Sequence, residues 1–225
     1  MDSRLQTIIN FVPINKRVAD IGTDHGYLSI ELIKKNISSK VIATDKNLLP
    51  LQAARKNIKS AQIEDKIELR LGEGLKPLKV NEVDVICIAG LGGSLICEIL
   101  NESPEIISTT EKIILQPMNG IEKVHQWTLE NNFYVEDEDL AEVDEIIYEI
   151  ICLSRNKNNK KSKRKLNSPL YKKFIELKIN KLEKIIESMN RSQRAIKSEK
   201  YFEITNQIKE MRLKVNEKSY SPNNL

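Results

Sequence analysis

The 225-residue chain has few glycines, histidines, cysteines and aromatic rings, and each shortage closes off a class of function. Two histidines, His25 and His125, and three cysteines, Cys87, Cys97 and Cys152, provide no C-x-x-C zinc cluster and no paired Cys/His nucleophile. The cysteines sit in apolar runs and read as buried thiols of a reducing compartment rather than disulfides. The longest uncharged stretch, Val85 to Cys97, is too short and too glycine-rich to span a bilayer. Asp2 and Arg4 stand where the apolar core of a signal sequence would form. The expectation is a cytoplasmic protein with no membrane partner and no metal.

What is present is charge, unevenly placed. Residues 1–153 hold 16 Lys and Arg against 25 Asp and Glu, net −9, whereas residues 154–225 hold 20 against 7, net +13. A basic appendage on an acidic globular half points to a polyanionic partner, most simply a nucleic acid.

The acidic half is organised around Val18 to Tyr27. An apolar run, Val18 to Ile21, ends in Gly22-Thr23-Asp24-His25-Gly26 and passes into Tyr27 to Ile33 with helical spacing. A strand thus feeds a helix through a glycine-bearing turn, where free backbone N–H groups face a ligand above the strand. A dinucleotide fingerprint needs G-x-G-x-x-G, but Gly22 and Gly26 are four apart, and Asp20 and Asp24 would repel a pyrophosphate. This argues against a nicotinamide-dependent oxidoreductase. Carboxylates here suit a cofactor carrying an ammonium and a sulfonium, as S-adenosylmethionine does.

Further apolar runs at 41–44, 67–71, 83–89 and 112–115, with helical spacing over 48–58, 94–100 and 122–129, predict an α/β fold with a mostly parallel sheet. Leu5, Ile8, Ile9 and Val12 predict a lid or packing helix ended by Pro13. The eight glycines, at 22, 26, 72, 74, 90, 92, 93 and 120, fall just beyond the expected ends of strands one, three, four and five. Right-handed crossovers put those ends on one edge of the sheet, so the glycines mark one cleft.

Within that cleft, Asp20 and the Gly22, Thr23, Asp24, His25 and Gly26 turn are expected to hold the methionine portion of the cofactor. Asp45, at the end of the second run, would take the ribose, and Gly72, Glu73 and Gly74 would meet the adenine. Ala89, Gly90, Leu91, Gly92 and Gly93 would floor the pocket, the first three beside the cofactor and the last two beneath a flat base. Phe133 to Val143 and Glu145 to Leu153, with no helix between them, predict an antiparallel pair closing the sheet.

From Asn156 to Lys165 no apolar side chain anchors the chain, so a basic linker over 155–167 would separate a catalytic domain, 1–154, from a second domain, 168–225. Ser168-Pro169 predicts an N-cap and a first-turn proline. Ile175, Ile179, Leu182, Ile186 and Met189, then Tyr201, Ile204, Ile208, Met211 and Val215, recur at heptad-like spacing and predict an antiparallel helical hairpin of coiled-coil type. Trp127 and Tyr171 read as packed rings.

The runs Arg4 to Ile9, Val18 to Leu28, Ile88 to Gly93 and Leu115 to Asn119 resemble the bacterial TrmK family, the tRNA (adenine-22-N1)-methyltransferases, over nearly the whole chain. The resemblance implies a class I methyltransferase fold, Rossmann-like with an antiparallel last strand, with S-adenosylmethionine as donor and tRNA as acceptor. Adenine N1 carries an in-plane lone pair, so methylation there needs no general base and the scarcity of histidine is no obstacle. N1 lies on the Watson–Crick edge, and the nucleotide must be unpaired or flipped to expose it.

Asp24 and Asn119 are then the expected catalytic residues, with Gln116 also able to reach the exocyclic amine. Lys160, Lys161, Lys163, Arg164, Lys172, Lys173, Lys181, Arg191 and Arg194 would meet phosphates, and a monomer is the expected state. The rival readings are a methyltransferase for another RNA, a protein or a small molecule, and a non-catalytic RNA-binding module that retains a donor pocket.

Overall fold

The computed structural model describes residues 2–156 and 164–219. Lys160, Lys161 and Lys163 lie outside them. The chain divides into two compact units, 1–168 and 169–225.

The first unit begins with α1 (Ser3–Phe11), whose N-cap Asp2 accepts a hydrogen bond from the Arg4 amide. Then follow β1 (Val18–Ile21), α2 (Tyr27–Lys34), β2 (Val41–Asp45), α3 (Leu48–Ser60), β3 (Ile67–Leu71), β4 (Val85–Leu91), α4 (Gly93–Asn101), α5 (Pro104–Ser108), β5 (Lys112–Pro117) and α6 (Ile121–Glu130). A hairpin of β6 (Tyr134–Val143) and β7 (Ile146–Ser154) and the short α7 (Arg164–Asn167) complete it.

The seven strands run in the order β3-β2-β1-β4-β5-β7-β6. The first five are parallel; β7 enters antiparallel between β5 and β6. The central strands read as unbroken apolar runs because both faces are covered. Val41 and Ala43 pack with Ile8, Leu32 and Ala54 on one face, while Ile42, Ile86 and Ile88 pack with Leu100, Val124 and Trp127 on the other. Successive side chains of a strand point to opposite faces, so each strand feeds both cores. The β6–β7 turn is two residues, Asp144 and Glu145, both at positive φ, the backbone that matches the twist of an antiparallel pair.

The observed boundaries differ from the expected ones in physically instructive places. Strand β4 runs two residues further than the apolar pattern implied, so Gly90 lies inside the strand, at a bulge between Ala89 and Leu91. Helix α5, opened by Pro104, had no periodic signal of its own. The expected linker is not wholly unanchored either. The Lys165 ammonium lies 2.6 Å from Glu149 and 3.3 Å from Glu138, and the Arg164 guanidinium lies 3.2 Å from Asp137 and over the Phe11 ring.

Burial by itself would lower the pKa of Lys165, but the two carboxylates beside it hold it above its ordinary value. Charge rather than apolar area therefore docks α7 on the hairpin, and the first unit extends past the expected boundary at 154 to Ser168.

In the second unit α8 (Tyr171–Met189) is followed by α9 (Gln193–Ile196) and α10 (Glu199–Ser219). Helix α8 starts at Tyr171 with Leu170 at its N-cap, so Ser168-Pro169 belongs to the preceding turn and not to the helix start. Helices α8 and α10 pack antiparallel, with Ile175, Ile179 and Ile204 buried and Glu183 paired with Arg212. The other residues of the two expected seams are half-buried.

Trp127 is buried, stacked on Phe133, and donates from its indole nitrogen to Asn101 at 2.7 Å; Tyr171 is buried too. Cys87 and Cys152 are buried, whereas Cys97 is only half-buried, with its thiol toward the Lys123 carbonyl.

Candidate functional site

The carboxyl ends of β1, β2, β4 and β5 converge beneath two adjoining cavities of about 820 and 510 Å3. Both are lined by Arg4, Gly22, Asp24, Ala89 and Gly90, which form the boundary between them.

The turn after β1 is fixed from below. The Gly22 and Thr23 amides each donate to the Thr44 carbonyl at 2.9 Å, and Gly26 donates back to Thr23. Gly22 has φ +71°, a conformation that L side chains avoid, and a β-carbon added to it would project into open space. Asp20 is 5% exposed and accepts hydroxyl hydrogen bonds from Thr23 at 2.7 Å and Ser29 at 2.6 Å. Burial holds its carboxyl above the usual carboxylate range, opposed by the Ser29 and Thr23 hydrogen bonds and assisted by the neighbouring Asp45 charge. Asp20 thus braces the turn from underneath and lines the larger cavity.

Asp45, 8% exposed, lines the smaller cavity. Its two oxygens accept from the Asn47 amide at 2.9 Å and the Asp24 amide at 3.3 Å. A carboxylate has about four lone-pair positions, so acceptor capacity toward the cavity remains. Nearby, the buried Thr44 hydroxyl has no hydrogen-bond partner among the described residues. Gly72, Glu73, Gly74 and Leu91 line the same cavity beside Leu95 and Ile99, and Glu73 itself turns outward to pair with Lys76 at 3.0 Å.

Asp24 has φ +52° and an exposed carboxylate whose Oδ2 lies 3.6 Å from His25 Nε2. Gln116, at the end of β5, is buried and lines the larger cavity with Thr23, Asp24 and His25. The structure thus brings Asp24 and Gln116 to one cavity.

Gly26, Gly92, Gly93 and Asn119, also expected at the site, line neither cavity. A β-carbon on Gly26 would meet Ala54 at 3.2 Å, so that glycine serves the packing of α2 on α3. Gly92, Gly93 and Asn119 form a loop pair beside the cavities, where the Gly93 amide donates to the Asn119 carbonyl at 2.9 Å. A β-carbon on Gly93 would lie 2.2 Å from the Gly120 carbonyl oxygen, so only glycine permits the two loops to meet. Lys172, Lys173, Lys181, Arg191 and Arg194 are exposed on the second unit, and Arg164 is engaged with Asp137 in the first.

Residues 1–151 match the methyltransferase-domain family. The chain belongs to that family. Within it, the chain is similar to tRNA (adenine(22)-N(1))-methyltransferases of the TrmK type. The Bacillus subtilis tRNA (adenine(22)-N(1))-methyltransferase is 32% identical over 151 residues, covering 67% of this chain and 63% of that relative's length. A candidate tRNA (m1A22) methyltransferase of Streptococcus pneumoniae superposes with a TM-score of 0.83 at 26% identity, covering 96% of this chain and 99% of the other. Mycoplasma capricolum TrmK, solved with S-adenosyl-homocysteine, superposes at 0.79 with 27% identity, covering 96% and 98%. Among the described residues no group of three or more His, Cys, Asp or Glu is placed to hold a metal ion, and no helix is long and apolar enough to cross a membrane.

Two contributors to the site were not among the expected site residues. Arg4 reaches both cavities from α1, its guanidinium forked onto Asp2 at 2.5 and 2.9 Å and lying 4.8 Å over the Tyr148 ring. Its sequence context announced a lid or packing helix. Met118 lines the smaller cavity, and its sulfur lies 3.7 Å from Gln116 Nε2 and 3.9 Å from Arg4.

Proposed function

We propose that this chain methylates N1 of adenine 22 in tRNA with S-adenosylmethionine as donor, in the cytoplasm and as a monomer. The observation that carries the reading is the Gly22 to Gly26 turn held over buried Asp20, with Asp45 at the end of the adjoining strand and open space above Gly22. When bound, S-adenosylmethionine supplies an activated methyl group.

The residues present fit such a group. Gly22 and Gly90 leave room where side chains would intrude, since a β-carbon on either meets nothing within 4 Å. The remaining lone pairs of Asp45 suit two ribose hydroxyls, and Leu91, Leu95 and Ile99 give the smaller cavity an apolar wall against which an adenine can lie. The unpartnered Thr44 hydroxyl offers one further polar contact.

The larger cavity is the place for the acceptor base. Adenine N1 has a free lone pair, so no side chain has to remove a proton; the chain's task is to orient the base and exclude water. The Asp24 carboxylate accepts from the exocyclic amine, which guanine lacks at that position, and Gln116 supports it from the cavity floor. Asn119, outside both cavities, acts through the loop it shares with Gly92 and Gly93.

The exposed lysines and arginines of α8 and the following turn hold the tRNA backbone. Mass spectrometry of the nucleosides and of ribonuclease fragments of tRNA, after incubation with isotopically labelled donor, tests the reading. Labelled 1-methyladenosine at position 22 is expected, and label in any other nucleoside, or none, would overturn it.

A further inference from the structure

In a chain with only 5% Phe, Trp and Tyr, the rings of His25 and Tyr27 stack on each other in the lining of the larger cavity. The His25 and Tyr27 centroids are 5.5 Å apart and their planes differ by 17°. Both side chains are about half exposed, 48% for His25 and 56% for Tyr27, and neither belongs to the apolar cores. The pair is held on a rigid base. Asn57 donates to the His25 carbonyl at 2.9 Å, and Tyr27 is the first residue of α2. The Asp24 carboxylate lies at the imidazole edge, 3.6 Å from Nε2.

We propose that the His25–Tyr27 pair is a stacking platform for the unpaired acceptor adenine, which it receives as the nucleotide leaves its helix. The inference deepens the proposed function and rests on it. An extruded base loses its stacking partners, and an aromatic face replaces them without demanding a particular base. The platform therefore supplies affinity for the extruded state. Asp24, beside the same ring, supplies the choice of adenine. Packing does not account for the arrangement, because a ring that served only the core would be covered.

The test uses the full-length protein and intact tRNA. Tyr27→Ala is expected to raise KM for tRNA by about 5- to 150-fold, the range that loss of one base–aromatic stack produces. Donor affinity by calorimetry should stay within twofold, and Tyr27→Phe, which keeps the ring, should behave as wild type. A second readout is the fluorescence of tRNA carrying 2-aminopurine at position 22. Stacking quenches this base, so its emission on binding should be higher with Tyr27→Ala than with wild type.

If wild type methylates tRNA and Tyr27→Ala does so with an unchanged KM and the same 2-aminopurine emission, the platform is overturned while the proposed function stands. A parallel loss of donor affinity would assign the ring to the turn's architecture and also overturn the proposal. Failure of wild type to methylate tRNA would overturn the proposed function itself and the platform with it.

Discussion

Arg70 in the first unit and Arg191 in the second carry the same charge in opposite settings. The Arg70 guanidinium is forked onto Glu82 at 2.6 and 2.7 Å, also reaches Glu68, and is largely covered; Glu82 raises its pKa above the ordinary value. Arg191 is exposed on the turn after α8, and Arg194 is exposed beside it on α9. Other residues repeat the contrast, although Arg212 of the second unit is paired with Glu183. Arg17, Lys112 and Lys165 close ion pairs of 2.5 to 2.6 Å that pin strand ends and α7, so these cations of the first unit are consumed as structure. Lys181 on the basic unit is exposed, and the partner of Lys172, Glu176, lies 4.0 Å away. An exposed pair of that kind contributes little, about 0 to 1 kcal/mol, and leaves the lysine available to phosphate. The proposed function accordingly assigns the chemistry to the first unit and the phosphate contacts to the second.

The sharpest test of the first half of that contrast is Gly22→Val. The side chain would occupy the space above the turn at φ +71°, so donor binding should be abolished in calorimetry. The ligand-free fold should survive with about 1–2 kcal/mol of backbone strain. Tight binding by this variant would move the donor site elsewhere.

Next in size is Asp45→Ala. Two charge-assisted hydrogen bonds worth roughly 1.5–3 kcal/mol each are lost, so donor affinity should fall by about two to four orders of magnitude. Affinity within threefold of wild type would remove Asp45 from the site.

Lys165→Ala probes the structural use of charge. It strands the Glu149 and Glu138 carboxylates, and after allowance for their partial exposure the unfolding free energy should drop by about 2 kcal/mol in urea titration. Unchanged stability would mean that α7 is not docked by its ion pairs.

The smallest effect concerns Asp20. Its folded-state pKa lies above the ordinary value of 3.8 because of burial, so what it adds to stability is complete below that value and is lost as pH rises through the folded pKa. Wild type should therefore lose stability relative to Asp20→Asn as pH is raised from about 4 toward neutrality. A difference that is flat with pH, or that grows in favour of wild type, would contradict the burial argument.

The elements that sequence reasoning placed well are those whose signals are local. β1, β2, β4 and β5 are buried on both faces and so appear as apolar runs, and Asp45 is legible because it ends one of them. Residues that reach the site through tertiary folding carried no such mark. Arg4 comes to the cavities only because α1 packs beside β5, β6 and β7. Arg164 and Lys165 looked like linker because their anchors, Asp137, Glu138 and Glu149, lie in a distant hairpin. Asn119 sits in the expected loop, yet its backbone is engaged with Gly93 and it lines neither cavity.

The division of labour is tested most directly by a gel-shift titration of tRNA at two salt concentrations. It compares the full chain with its Lys172→Glu, Lys181→Glu, Arg191→Glu, Arg194→Glu variant, with donor calorimetry on both. The variant should bind the donor as wild type does, bind tRNA far more weakly, and show a salt slope shallower by about 3 as phosphate contacts are lost. Equal tRNA affinity and an equal salt slope in the two proteins would contradict the account.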